Sequence, residues 1–259
     1  MEYKTRLVQL ISKKDFIWIL SKKELKMKYS GSKLGIWWAI ILPLFLAFSM
    51  NLIFTVAFKV SIPNYTLFVL SAILPWTFFS QSLSEVTNSF LSNRPVLKQN
   101  IMLKEAIPLS CVIGNFLNFI IGLAVMIPLF ALFNNKIILY IPFLIIALAT
   151  FCIFLCGLSL IFSVANVFYR DVSCFLSLGL MIWFWITPIF YSIDMIPYPY
   201  RLVGLCNPLA YFMLGFRDFL YYGRVDFRVI GAGILIAAVT FFGGYYIFLC
   251  KERELSKRL

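Results

Sequence analysis

Histidine is absent from this chain, and acidic residues are few, with eleven Asp and Glu against 23 Lys and Arg in 259 residues. The commonest general base and metal ligand near neutral pH is therefore missing. Only one carboxylate, Glu85, falls inside a strongly apolar stretch. An enzyme working at membrane depth, or a carrier driven by protons, needs clustered ionisable groups there, because such groups are costly in lipid and kept for chemistry. The sequence argues against both. It also lacks the G-x-x-x-x-G-K-S/T loop that cradles nucleotide phosphates. If ATP supplies work, another subunit binds it. Charge altogether is scarce, 13% of residues against about 25% in soluble domains. With 62% apolar residues and a mean hydropathy of +0.91, a water-facing surface cannot be covered. The excess apolar surface faces lipid.

What charge there is lies outside the apolar runs. Nine of the 23 basic residues fall in the first 33 positions and four more in the last nine. By the positive-inside rule both termini are expected in the cytoplasm. The net charge of +12 is then a membrane-orientation signal, and nucleic acid is not an expected partner. Five cysteines sit in or at the ends of apolar stretches and Cys206 stands alone, so reduced thiols are expected. The basic amino terminus has no short apolar core, and no cleavable signal peptide is expected.

A span needs about 20 apolar residues. Six stretches qualify, at about 34–58, 66–91, 107–133, 137–168, 174–191 and 229–250. The expected fold is all-α: a six-span integral membrane domain over 34–259, with residues 1–33 as an amphipathic helix in the inner headgroup region. The loop 92–106 and the turn at Tyr169, Arg170 and Asp171 fall on the cytoplasmic side, where Arg170 and Asp171 are expected to pair or to cap helix ends. The segment 192–228 falls outside. It is aromatic, apolar and interrupted by Pro197, Pro199 and Pro208, which predicts short helices dipping back into the outer leaflet; four arginines there depart from the positive-inside pattern. Trp38, Phe45 and Phe48 recur at helical spacing, and Trp183, Trp185 and Tyr191 lie on a later span. Their rings suit either packing or a path along which sugars stack.

The run from Lys26 to Trp38, which contains Lys28, Tyr29, Ser32, Leu34 and Gly35 and is followed by Pro43, resembles the entry motif of ABC-2 type permeases that export polysaccharides. Leu74-Pro75-Trp76, Asn93 to Lys98, Phe168 to Val172, Thr187 to Tyr191 and Asn207-Pro208 follow in that family's order, so the likeness covers about residues 20–225. Lys28 departs from it, since an Arg is more usual there. The resemblance implies a homodimer in the inner (cytoplasmic) membrane, with two copies of a separate ATP-binding subunit. ATP and magnesium belong to that subunit, and no cofactor is expected in this chain. The cargo it implies is an undecaprenyl-type lipid-linked glycan such as O-antigen, capsule or teichoic acid, with a lipid or small hydrophobic drug as the alternative. It further implies an ATPase-docking coupling helix around Asn93, Val96, Leu97, Lys98, Leu103 and Glu105, an interface-helix turn at Lys28, Tyr29 and Ser32, and an outer gate around Pro197, Asn207 and Pro208.

Overall fold

In a computed structural model of the chain, which describes residues 12–97, 103–135 and 137–258, every long element is an α-helix and no strand occurs among the described residues. A chain this apolar has little choice, since only a helix satisfies its own backbone hydrogen bonds within lipid unless strands close into a barrel. Helix α1 (Lys14–Tyr29) ends at a turn where Gly31 and Gly35 both take positive φ, at +81° and +51°. That turn leads into α2 (Trp38–Asn51), which is prolonged by a π turn over Leu52–Ala57. Next come α3 (Tyr65–Thr87), two single turns α4 (Ser89–Ser92) and α5 (Arg94–Leu97), then α6 (Ala106–Phe133) and α7 (Ile137–Phe168). Helix α8 (Val172–Ile186) is followed by the short α9 (Arg201–Cys206), α10 (Pro208–Arg217) and the long α11 (Phe227–Arg258).

Among the described residues five helices are long and apolar enough to cross a membrane: Gly35–Ala57, Tyr65–Thr87, Ala106–Phe133, Ile137–Phe168 and Phe227–Leu255. The protein is a multi-pass membrane protein. The stretch expected as a span at 174–191 is helical only over Val172–Ile186, 15 residues, or about 22 Å at 1.5 Å per residue. That is short of the bilayer's hydrocarbon thickness of about 30 Å. The helix stops because Thr187 precedes Pro188 and takes extended backbone, with ψ 134°.

Helix α3 is the centre of the bundle. Of its most apolar stretch 78% is buried, against 28% or less in every other candidate span, and α2, α6, α7, α8 and α10 all pack on it. Helices α7 and α11 make the most extensive pairing. They touch backbone to backbone, since a Cβ at Gly157 would lie 2.5 Å from the Thr240 carbonyl oxygen and one at Gly244 would collide with the Gly157 carbonyl. Helix α1 lies across α6, where Gly114 leaves room for the Ser21 backbone, and buries Ile17 and Leu20 while Lys22, Lys23 and Lys26 stay exposed. Ile17, Leu20, Phe90, Leu97, Ile107, Val164, Phe248 and Leu255 form a separate apolar cluster. This cluster brings α1 and the tail of α11 to one end of the bundle, called the basic end below.

Candidate functional site

The last turn of α1 delivers Lys28 and Tyr29 to the basic ends of α3 and α6. Gln81 and Glu85 stand one turn apart on α3, and Asn115 and Asn118 do the same on α6, so each pair shares a helix face. The Lys28 ammonium donates to Asn115 Oδ1 at 2.7 Å, Glu85 Oε1 at 2.9 Å and Gln81 Oε1 at 3.1 Å. All three of its protons are used. Asn115 Nδ2 donates in turn to Glu85 Oε2 at 2.6 Å and to the Cys111 carbonyl at 3.2 Å. Tyr29 donates its hydroxyl to Asn118 Oδ1, and burial holds its phenol above the ordinary range, so it stays a neutral donor. Ser32 Oγ accepts from the Gly35 amide at 3.2 Å and starts the helical turn into α2. A network of charge and amide groups therefore ties three elements together, with Lys28 at its hub. Lys28 also forms the wall between two cavities. One, of about 470 Å³, is lined by Glu24, Ser84, Glu85, Ser89 and Asn93; the other, of about 250 Å³, by Tyr29, Ser32, Trp38, Gln81 and Asn118.

Beyond α3 the chain breaks at Asn88, where Asn166 on α7 donates to the Thr87 carbonyl at 2.9 Å and to Asn88 Oδ1 at 3.1 Å. The break lets α4 and α5 fold across the basic end. Asn93 faces the larger cavity and Leu97 is buried in the apolar cluster of that end, with Leu103 packed against it. Glu105 is fully buried at the start of α6. Lys98 and the side chain of Val96 lie outside the described residues. Of the residues expected to dock a partner, Leu97 and Glu105 thus point into this chain's own interior. Tyr169 is exposed, and Arg170 and Asp171 lie in the same turn, but no ion pair joins the two among the described residues and Asp171 occupies the N-cap of α8 without a side-chain bond. The expectation that they pair is corrected, while Asp171 does stand at the N-cap of α8, where its carbonyl and not its carboxylate accepts from the Phe175 amide. Arg258 instead lies over the Phe168 ring, 4.5 Å from its centre, and closes α11 against this turn.

At the opposite end the irregular segment 187–191 has its backbone satisfied by side chains. Tyr65 donates its hydroxyl to the Phe190 carbonyl at 2.6 Å, and Arg217 donates to the Ile189 carbonyl at 2.7 Å and the Tyr191 carbonyl at 3.4 Å. Arg217 is 1% exposed and its guanidinium rests 3.8 Å from the centre of the Phe68 ring. Asn207 caps α10, accepting from the Leu209 amide at 3.0 Å and from the Trp183 indole at 2.8 Å while donating to Thr187 Oγ1 at 3.0 Å. Irregular backbone is tolerated at membrane depth only with such partners. Three of the four arginines of 192–228 are accounted for here: Arg217 by burial, Arg201 by Asp194 at 2.6 Å and Arg224 by Asp218 at 2.7 Å. Asn207→Ala removes a cap and strands the indole N–H, an expected loss of about 2–4 kcal/mol, read as a lower melting temperature in detergent. Asn207→Asp keeps both acceptor roles and is expected to lose less.

The family model of the ABC-2 type transporter matches residues 15–221, which contain the Lys28 hub, the break at Asn88 and the Asn207 cap. This chain belongs to the ABC-2 type transporter family. It is 34% identical over 233 residues to the O-antigen export system permease protein RfbA of Klebsiella pneumoniae, covering 87% of this chain and 89% of that protein. A second Klebsiella pneumoniae protein of that name is 33% identical over 90% of this chain and 91% of its own length. The Myxococcus xanthus protein of that name is 27% identical over 93% of this chain and 94% of its own.

In this ABC-2 chain the aromatic residues expected along a path separate into two groups. Trp38, Phe45 and Phe48 are exposed on one stripe of α2, and Trp185 on a stripe of α8 with Phe175, Leu178 and Met181. Trp183 is turned inward, edge-on to Phe79 at 5.4 Å and bonded to Asn207. Tyr191 folds back to donate to the carbonyls of Trp185 and Ile186, ending α8. Pro197 precedes α9, and Pro208 is the first residue of α10, where its missing N–H costs nothing. Gln81, Asn115, Asn118 and Arg217 belong to no motif in the sequence and take their roles only from the fold. Asn115 and Asn118, three apart in an otherwise apolar helix, were the available signal for the hub.

Proposed function

We propose that this chain is the membrane subunit of an ATP-driven exporter that moves lipid-linked polysaccharide across the cytoplasmic membrane. The observation that carries this reading is the match, at about a third identity over nearly the whole of both chains, to relatives named as O-antigen export permeases. Two copies of the chain work with two copies of a separate ATP-binding subunit. By the positive-inside rule the basic end is cytoplasmic and both termini lie inside. Helix α8 together with the satisfied irregular segment 187–191 makes the sixth crossing, and 192–228 forms the outer gate around Pro197, Asn207 and Pro208.

Helix α2 is the least buried of the candidate spans, and its exposed aromatic stripe faces the second copy and the glycan path between them. Trp38, Phe45, Phe48 and Trp185 offer ring faces there, while Trp183 and Tyr191 shape the path from behind it. The connector 92–106 and the turn at Tyr169, Arg170 and Asp171 meet the ATP-binding subunit. Cargo of this kind needs a wide and largely uncharged passage, with the force coming from ATP-driven closure of the partner. The test is a cell lacking the chain. Surface glycan is expected to vanish while lipid-linked polymer accumulates inside; intact surface glycan with loss of export of a lipid or drug would replace this reading by the alternative.

A further inference from the structure

The smaller cavity at the basic end, of about 250 Å³, stands where α1 turns into α2, at the start of the first candidate span. The chain enters hydrocarbon there, so the cavity lies at headgroup depth, the level that Trp38 in its lining also favours. Its polar groups are unequally spent. Gln81 turns its side-chain oxygen to the Lys28 ammonium, which has nothing but donors to offer, and Asn118 turns its oxygen to the Tyr29 hydroxyl. The NH2 groups of both amides are left over, and neither nitrogen is occluded. The Ser32 hydroxyl accepts from the Gly35 amide and keeps its own proton to give, and the Trp38 side chain is exposed with its indole N–H. None of these four donors has an acceptor among the described residues. The other polar groups are committed: Thr77 donates to the Leu74 carbonyl at 2.8 Å, and the Lys28 protons go to Gln81, Glu85 and Asn115. The cavity therefore offers hydrogen-bond donation without a free cation inside it. The rest of its lining is apolar, with Ala39, Leu42 and Pro43 of α2, and Leu42 is exposed.

We propose that this cavity seats the phosphodiester of a glycerophospholipid from the leaflet at the basic end, with the start of an acyl chain along Leu42 and Pro43. A phosphodiester brings acceptors and no donor, which matches the four unspent groups. It carries a single negative charge, and the exposed Lys26 and Lys33, before and within the α1–α2 turn, supply a favourable field without entering the site. A polyprenyl diphosphate, with its higher charge, needs cations in contact, and the one ammonium here is already paired with Glu85 at 2.9 Å. The site thus suits a bilayer lipid better than the carrier of a lipid-linked glycan. The seated phosphate joins Ser32 and Trp38 to Gln81 and Asn118, and so ties the turn and α2 to α3 and α6 as Lys28 ties α1 to them. The inference needs a membrane around this chain and does not depend on the exporter reading.

Native mass spectrometry and thermal melting of the full, delipidated chain in detergent, with phosphatidylglycerol added back, test the site. The wild type is expected to retain one lipid more than Gln81→Glu and to melt higher as the lipid is added, since a ligand of the folded state stabilises it. Gln81→Glu and Asn118→Asp keep the acceptors that Lys28 and Tyr29 use and exchange each spare NH2 for an oxygen. Their melting temperatures without lipid are expected to match the wild type, while Kd for phosphatidylglycerol rises about tenfold in each. Trp38→Phe breaks no hydrogen bond within the chain and is expected to raise Kd about threefold. It reads the site independently should the new carboxylates disturb the fold. Diacylglycerol and inorganic phosphate, which each supply part of the ligand, are expected to stabilise the wild type far less. Wild-type Kd in all three variants, or diacylglycerol as effective as phosphatidylglycerol, would overturn the site. Undecaprenyl diphosphate bound more tightly than phosphatidylglycerol, or inorganic phosphate alone stabilising as much, would overturn the choice of a phosphodiester lipid as its occupant.

Discussion

Valine in place of Gly244 is expected to abolish recovery of a monodisperse folded protein from the membrane. At Gly157 and Gly244, helices α7 and α11 approach so closely that their backbones are in contact. The atoms a new Cβ meets there are the Gly157 carbonyl from one side and the Thr240 carbonyl and Phe241 amide from the other, all of them backbone. Nothing can rotate out of the way, so the two helices must part along their most extensive contact. Overpacking of a compact interior costs about 1–3 kcal/mol and more where the backbone has to move. In lipid the loss is compounded, because helix pairing depends on close van der Waals packing between small residues, with no hydrophobic driving force to replace it. Gly157→Val is expected to behave alike, and Gly244→Ala to give a lower melting temperature. Gly231→Ala and Gly243→Ala on the same helix, where a Cβ meets nothing within 4 Å, are the controls expected to show no loss. Unchanged size-exclusion profiles and melting temperatures for both valine variants would refute the backbone contact.

Methionine in place of Lys28 removes the shared donor of the basic-end network at a stroke. Glu85, Asn115 and Gln81 each lose a hydrogen bond, two of them shorter than 3 Å. Breaking one side of a hydrogen-bonded charge pair is costly when the other side stays buried. Glu85 is 44% exposed and Lys28 23%, so solvent recovers part of that cost, and the expected destabilisation is about 1–3 kcal/mol. The larger effect is local. Released from α3 and α6, helix α1 is expected to exchange its amide hydrogens faster over residues 14–29, and surface glycan to fall to a small fraction of the wild-type level. Lys28→Arg supplies enough donors for the same acceptors and is expected to retain function, consistent with the arginine more usual at this place in the resembling family. A double-mutant cycle of Lys28→Met with Glu85→Gln isolates the pair: additive losses would mean that the two side chains do not act together.

The irregular segment 187–191 and the Asn93–Glu105 connector show how much of this was legible beforehand. Thr187-Pro188 announces a break, since the residue before a proline avoids the helical region. That the break shortens the fifth stretch to Val172–Ile186, and that Arg217 supplies donors to its carbonyls, is invisible to a hydropathy window, because Arg217 lies 26 or more residues away from the carbonyls it serves. Arg217 read as one of four anomalous outer charges when it is a buried structural donor. The family resemblance assigned Leu97 and Glu105 to a docking helix; in the fold Leu97 joins an apolar cluster with nearby Phe90 and with Phe248 and Leu255 from the distant α11, and Glu105 is enclosed at the foot of α6. Trp183 and Trp185 are two residues apart, so on a helix they point about 200° apart, and only one of them can lie on the exposed stripe.

The sequence by itself determined that the chain lives in lipid, that its long apolar stretches are helices, and that most of its basic residues lie outside those stretches. Each of these follows from composition and from the cost of leaving backbone or charge unsatisfied in hydrocarbon, which are properties of single residues and short windows. Tertiary structure alone decided which helix is central, which glycines are contacts, and that Lys28 reaches Glu85 and Asn115 across 57 and 87 residues. Those are relations between distant segments, and an apolar helix whose neighbours are either lipid or protein carries the same hydropathy in both surroundings.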